Sequence, residues 1–369
     1  MHSILAALES AQNDLRPLAA LPPEQLADAR NIVFFLVDGF GYHYLRNQTG
    51  SFLNKLCSGS IDSVFPSTTA SAITTVMSGL SPQTHGIPGW FTYFKEIGGI
   101  VATLPFRIRG IGNHLVDKVD PRDLFGNHCM FTQSKRASYV VTPEHLADSA
   151  YSRVMCGPAQ RIAYRDLDHC FSQLNSLIHH RDKKYVYAYW PEFDSLCHKF
   201  GVHSHQVQEH FDLLDRSFEN FFSLAAQSDT AMIISADHGF VDTSPSQTIH
   251  LRDHPNLAQC LTMPLCGEPR TAYCYVRGKY HTQFEQYIEE NFSDRMACCD
   301  SASLLEQGYF GCGPIHDRFY DRIGDYTLIM RDHYVITDQL LSEQAFNMIG
   351  VHGGLHDHER EIPLIVARL

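Results

Sequence analysis

Ile32-Val33-Phe34-Phe35-Leu36-Val37 is an unbroken apolar run, and it ends abruptly in Asp38-Gly39-Phe40-Gly41. A run of this length closed by a glycine-bearing turn predicts a strand buried on both faces of a parallel sheet. The pattern recurs twice. Tyr185-Val186-Tyr187-Ala188-Tyr189-Trp190 leads into Pro191 and Asp194, and Ala231-Met232-Ile233-Ile234-Ser235-Ala236 leads into Asp237-His238-Gly239. Leu167–His179 and Gln206–Ala226 carry apolar residues at helical spacing. Strands alternating with helices are the signature of an α/β sheet. Ligands of such sheets gather outside the carboxyl ends of the strands. Three strands that end in acids or acid–histidine pairs would bring those side chains to one rim.

Away from these runs the pattern weakens. Residues 4–15 have loose helical periodicity, broken by Leu21-Pro22-Pro23. Residues 88–140 hold Trp90, Phe91, Tyr93, Phe94 and the basic pair Arg107 and Arg109. Residues 244–330 hold an expected strand, Thr271–Val276, and an expected helix, Gln283–Asn291. Each stretch reads as an insertion capping the sheet rim, within one domain spanning residues 1–369.

Composition narrows the function class. A chain of 369 residues with 44% apolar and 19% charged residues can bury a sizeable core. Its formal net charge of -12 argues against nucleic-acid backbone as a partner and gives no cue for an anionic membrane. A phosphate substrate stays open, because bound metal inverts a local field. The chain holds 22 histidines, the commonest metal ligand. Its 11 cysteines form no C-x-x-C pair, and Cys298 and Cys299 are adjacent. That spacing fits free thiols in a reducing compartment. Glu9 and Asp14 interrupt the N-terminal stretch, and no window reaches the length of a transmembrane span. The expectation is a cytoplasmic protein without membrane insertion, or one exported without a cleaved signal.

Five segments carry metal-binding or nucleophilic residue types. Asp194 and His198 are four apart, so on a helical turn both would face one ion. Asp237 and His238 are adjacent and would point to opposite faces of a strand. Both reach one metal only if the chain turns, which Gly239 permits. Asp38 precedes Gly39 and Gly41, which suit a tight loop near a ligand, although an aspartate there also suits a helix cap. His352 stands in Val351-His352-Gly353-Gly354-Leu355, with His356 and His358 close behind, and spacing does not choose among the three. The fifth segment is Phe65-Pro66-Ser67-Thr68-Thr69-Ala70-Ser71-Ala72, ahead of an apolar and small-residue helix. A hydroxyl at a helix N-terminus is either a phosphate-facing nucleophile or an ordinary N-cap.

In order and spacing, these segments resemble the type I phosphodiesterase / nucleotide pyrophosphatase family of the alkaline phosphatase superfamily. The resemblance runs from Val37-Asp38-Gly39 through Phe65-Pro66-Ser67-Thr68-Thr69, Ser78-Gly79-Leu80-Ser81-Pro82 and Thr84-His85-Gly86-Ile87. It continues through Asp194-x-x-x-His198 and Ala236-Asp237-His238-Gly239 to His352-Gly353. It implies an alkaline-phosphatase-like three-layer sandwich with a mostly parallel central sheet and cap insertions. It also implies two Zn2+ ions, one held by Asp194, His198 and His352, the other by Asp38, Asp237 and His238, with Thr69 touching the second. Thr69, three residues after the proline, takes the nucleophile position, and a phospho-threonine intermediate follows. His352, which precedes a glycine, is preferred to His356 and His358.

The implied substrate is a small phosphate ester, with a nucleotide among the candidates. Two departures bear on that. An aromatic that follows the nucleophile in nucleotide-cleaving members is Ala70 here, and an asparagine three residues after it is Ala72. Base stacking would then fall to Trp90, Phe91, Tyr93 or Phe94, or the substrate is not a nucleotide. Ala70 stays a candidate substrate contact by its position, and phosphate contacts would fall to Arg107 and Arg109. Alternatives are a phosphomonoesterase or phosphonate hydrolase on the same site, and a non-catalytic metal-bound scaffold.

Overall fold

The computed structural model describes residues 1–10, 15–110, 112 and 114–369. The strand Asn31–Val37 is buried along its whole length. Its side chains alternate between two cores, as strand geometry requires. Ile32, Phe34 and Leu36 pack with Ile73, Val76 and Met77 of the helix Thr69–Ser78. Val33, Phe35 and Val37 pack with Phe171 and Leu174 of the helix Leu167–His179, and with Phe211, Leu214 and Phe218 of the helix His205–Leu224. Helices on both faces make three layers. Each large side chain so buried contributes about 2 kcal/mol relative to exposure, which explains why the run is apolar without a break.

Seven strands form this first sheet, in the order Cys57–Asp62, Glu361–Arg368, Thr230–Ser235, Asn31–Val37, Lys184–Trp190, Ala137–Pro143 and Gln160–Tyr164. The last five are mutually parallel. Glu361–Arg368 runs antiparallel to both of its neighbours. The three strands expected from the sequence are the three central parallel ones, so Asp38, Pro191 and Ala236 follow their carboxyl ends side by side.

A second seven-stranded sheet has the order Met296–Asp300, Tyr326–Met330, Thr271–Cys274, Cys266–Gly267, Phe91–Phe94, Gly99–Ala102 and Arg107–Ile108. Both stretches expected as caps therefore supply strands to one sheet. They meet where Gly267 pairs with Phe91. Residues 137–140 of the first stretch belong instead to the first sheet, in the strand Ala137–Pro143. The helix expected at Gln283–Asn291 spans His281–Phe292. The N-terminal helix is His2–Ala7, and residues 11–14 of the expected 4–15 periodicity lie outside the described residues. No helix among the described residues is long and apolar enough to cross a membrane.

Candidate active site

Asp38 leaves the end of its strand with its backbone N–H on Trp190 O. Gly39 follows at φ +74°, and a Cβ there would lie 2.4 Å from the Phe240 ring and 3.2 Å from Asp194 Cα. Only glycine allows the Asp38 turn to approach the Asp194 helix so closely. Gly239 serves differently. Its virtual Cβ would meet His358 O at 2.1 Å, so close backbone approach, not a positive φ, requires glycine after His238. Asp194 and His198 share a face of the helix Glu192–Phe200, with His198 Nε2 3.4 Å from Asp194 Oδ1.

These side chains converge. His238 Nε2 lies 3.4 Å from Asp38 Oδ1, 3.5 Å from Asp237 Oδ2 and 4.0 Å from Asp194 Oδ1. His352 Nε2 lies 3.9 Å from Asp194 Oδ1, and its ring stacks on that of His238 at 3.6 Å. Two groups have ligand atoms within 4.8 Å of one another: Asp38, Asp237 and His238, and Asp194, His238 and His352. His198 stands beside the second group, its ring 5.1 Å from that of His352.

Two observations test whether a cation fits. Asp38 Oδ1, Asp194 Oδ1 and Asp237 Oδ2 are buried without a hydrogen-bond partner. Orphaned buried carboxylate oxygens are costly unless a cation takes them. The imidazoles are also aimed. His198 Nδ1 donates to Gly350 O at 2.8 Å, His238 Nδ1 to Gly239 O at 3.1 Å and His352 Nδ1 to Ser67 O at 3.2 Å. Each bond fixes the tautomer and turns the Nε2 lone pair inward, the arrangement of metal-ligating histidines. The second oxygens of two carboxylates are tied down as well. Asp38 Oδ2 accepts from the Tyr189 hydroxyl, and Asp237 Oδ1 accepts from the backbone N–H of Gly39 and of His238. Burial, with Asp237 and Asp194 nearby, holds Asp38 well above the usual carboxylate range. Burial also raises Asp194 and lowers His352. A divalent cation opposes the carboxylate shifts by stabilising their charge.

Thr69 is the first residue of its helix, and its Oγ1 lies 3.1 Å from His238 Nε2. Thr68 occupies the N-cap position, yet its hydroxyl does not cap the helix. It donates instead to Glu268 Oε1 at 2.6 Å. Burial pushes Glu268 up to about 7.

A cleft of ≈ 810 Å³ opens from Asp38, Thr69 and Asp194 and is walled by Trp90, Arg107, His114, Tyr189 and Arg153. Trp90 and Arg107 thus stand where substrate contacts were expected. Three other expected contacts do not. Ala70 is fully buried in the core under the sheet. Arg109 bonds Glu343 at 2.8 Å and Leu265 O at 2.5 Å, and its guanidinium lies over the Phe91 ring at 4.2 Å. Arg109 and Phe91 line a different cavity: residues two apart would share a face of a continuing strand, but this strand ends at Ile108, and Arg109 turns away to Glu343. His356 and His358 also lie apart. His356 Nδ1 accepts from His358 N, and His358 stacks on His43 at 4.3 Å.

Sequence reasoning passed over Tyr189 and Glu268. Tyr189 had a signal: it carries a hydroxyl one residue before the end of the second apolar run, at the rim where the acids gather. Glu268 had none, since it comes from a turn of the second sheet.

The sequence profile of the type I phosphodiesterase / nucleotide pyrophosphatase family matches residues 32–355. The chain belongs to this family. It is therefore a phosphoric ester hydrolase, and the Asp/His cluster is its candidate metal centre. Among solved structures, murine ectonucleotide pyrophosphatase / phosphodiesterase 5 is similar at 14% identity and a TM-score of 0.68, covering 90% of this chain and 87% of that one. The human counterpart gives 14%, 0.67, 91% and 87%. Phosphonoacetate hydrolase from Sinorhizobium meliloti 1021, in complex with phosphonoformate, gives 16%, 0.63, 92% and 90%. At these identities the likeness shows the fold, an alkaline-phosphatase-like α/β architecture. No curated protein sequence matches the chain significantly.

Proposed function

We propose that this enzyme is a two-zinc phosphodiesterase or nucleotide pyrophosphatase that works through a phospho-threonine on Thr69. One observation carries the reading: three partnerless carboxylate oxygens lie within 4.0 Å of His238 Nε2, which itself lies 3.1 Å from the Thr69 hydroxyl. Asp38, Asp237 and His238 would hold one ion beside Thr69. Asp194, His198 and His352 would hold the other. Bound zinc would lower the pKa of a hydroxyl by several units and offset charge on the phosphoryl oxygens. Thr69 Oγ1 attacks phosphorus as the ester oxygen departs, and water then cleaves the phospho-threonine and restores the hydroxyl. No side chain caps the ten-residue helix that Thr69 begins, so its end is free to face a phosphoryl group.

Trp90 and Arg107 are the proposed substrate contacts, which suits a nucleotide-like or other small phosphodiester. The second sheet acts as a cap on a single catalytic domain. Seven buried cysteines fit a cytoplasmic location.

The test is nitrophenol release from a bis-ester and a mono-ester, with and without chelator. Zinc-dependent release that favours the bis-ester is expected. Full activity after complete metal removal would sink the proposal. A rate ratio strongly favouring the mono-ester, or cleavage of phosphonoacetate, would select the second reading, a phosphomonoesterase or phosphonate hydrolase. That reading is favoured by Ala70 and Ala72 and by the likeness to phosphonoacetate hydrolase.

A further inference from the structure

One turn of the second sheet grips both halves of the candidate site. It spans residues 268–271 and is closed by Glu268 N on Thr271 O and Thr271 N on Glu268 O. On one side, Glu268 Oε1 accepts from Thr68 Oγ1 at 2.6 Å and from the Trp90 backbone N–H at 2.7 Å. Thr68 precedes the proposed nucleophile, and Trp90 walls the cleft. On the other side, Thr271 Oγ1 donates to Gly353 O at 2.6 Å, next to His352. Gly353 lies against Glu268, where a Cβ would meet Glu268 Cβ and Cγ at 3.0 Å. Arg270 forms a fully buried ion pair with Glu359 at 2.6 Å, and Glu359 in turn accepts from Gly354 N at 2.8 Å.

The two sides are also tied to each other. Ser67 Oγ donates to Gly354 O at 2.8 Å, while Ser67 O accepts from His352 Nδ1. Phe65, just ahead of the nucleophile, is buried in the core beneath the second sheet, with its ring 5.2 Å from Phe310. The nucleophile loop and the His352 loop are far apart in sequence. Both take their position from this turn.

The Thr68 bond is informative because a threonine at an N-cap ordinarily bonds its own helix. Here the hydroxyl is drawn away to Glu268. That leaves the helix end uncapped and keeps the Thr68 oxygen occupied, while Thr69 faces the acids and histidines.

We infer that Glu268 is a positioning residue: by accepting from Thr68 and from Trp90 N together, it fixes the nucleophile loop and the cleft wall relative to the metal centre. The inference rests on the proposed role of Thr69. Its mechanism is geometric, since a displacement of about 1 Å at a reacting group can cost on the order of 10²-fold in rate.

The test combines kinetics with amide exchange on the whole zinc-loaded chain. Glu268→Ala should lower kcat by about 10- to 100-fold with bound metal unchanged. Thr68→Val should lower kcat without changing KM, because the Trp90 bond survives. The double variant should be no slower than Glu268→Ala alone, since the two residues act as one unit. Glu268→Gln keeps an acceptor oxygen and should restore kcat to within about threefold of wild type. Hydrogen exchange reads the geometry without any substrate. Trp90 amide exchange should accelerate in Glu268→Ala but not in Thr68→Val or Glu268→Gln. Exchange in segment 67–70 should accelerate in both Thr68→Val and Glu268→Ala. Unchanged Trp90 exchange in Glu268→Ala, wild-type kcat in Thr68→Val, or additive losses in the double variant would each overturn the inference. If the zinc-loaded wild type cleaves no phosphate ester, the proposed function falls, and the exchange data still decide whether Glu268 holds the two segments.

Discussion

Two groups of histidines lie close together in this molecule, and they differ in almost every physical respect. His198, His238 and His352 each have Nδ1 on a backbone carbonyl and Nε2 turned towards acids. His43, His356 and His358 touch mainly each other, in stacked and edge contacts of 4.3 and 4.9 Å. His356 caps a four-residue helix, and His43 pairs with Glu361 at 3.1 Å. The first group faces partnerless buried carboxylate oxygens. Nearness to other histidines thus does not make a ligand. A fixed tautomer, an inward lone pair and an uncompensated acid beside it are what mark a candidate ligand.

The comparison breaks most sharply at His238, which belongs to both candidate ligand groups. His238→Ala should lose bound metal and at least about 10³-fold in kcat/KM. Metal analysis and ester hydrolysis on one sample check it. Equal metal content in the variant would erase the distinction between the two histidine groups.

Tyr189 sharpens the contrast, since its hydroxyl is what holds the second oxygen of Asp38. Tyr189→Phe should weaken metal binding by roughly 10- to 100-fold, the usual cost of losing an outer partner. Competition with a chromogenic chelator measures this. An unchanged affinity would mean that Asp38 needs no help in facing the ion.

Acidity probes the same group. Asp38 and Asp194 are raised by burial, so in the metal-free protein they take up protons as pH falls toward and below their folded values. Their raised values cost stability as pH rises from the ordinary carboxylate range, and bound metal removes that cost. His352, lowered by burial, stays neutral and does not oppose the trend. The rise in Tm on adding zinc should therefore grow from about pH 5 to about pH 8. Thermal melts with and without zinc check it, and a pH-independent difference contradicts it.

The smallest effect belongs to the outer group. His358→Ala should leave activity within about twofold and change stability by about 0.5 kcal/mol or less, as for most exposed positions. A loss of metal from that variant would place His358 in the centre after all.

Much of the first sheet was legible because burial on both faces writes itself into sequence as continuous apolar runs. Asn31–Val37, Lys184–Trp190 and Thr230–Ser235 each start one residue before the run that predicts them. The acids and histidines were legible because strand ends place them at one rim. The second sheet was not. Its strands are short, two of seven having only two residues, and they come from stretches more than a hundred residues apart. Arg107 and Arg109 show the limit at one hairpin. They look equivalent in sequence, yet one walls the cleft and the other is buried against Glu343.

By itself, then, the sequence determined the parallel core, the rim and the set of acids and histidines, since local periodicity and short motifs carry them. The tertiary structure alone decided which histidines turn inward, that Thr68 is drawn off its own helix, and that a turn at Glu268 joins the two loops. Those outcomes depend on backbone carbonyls and side chains brought together from distant parts of the chain, and no local pattern encodes them.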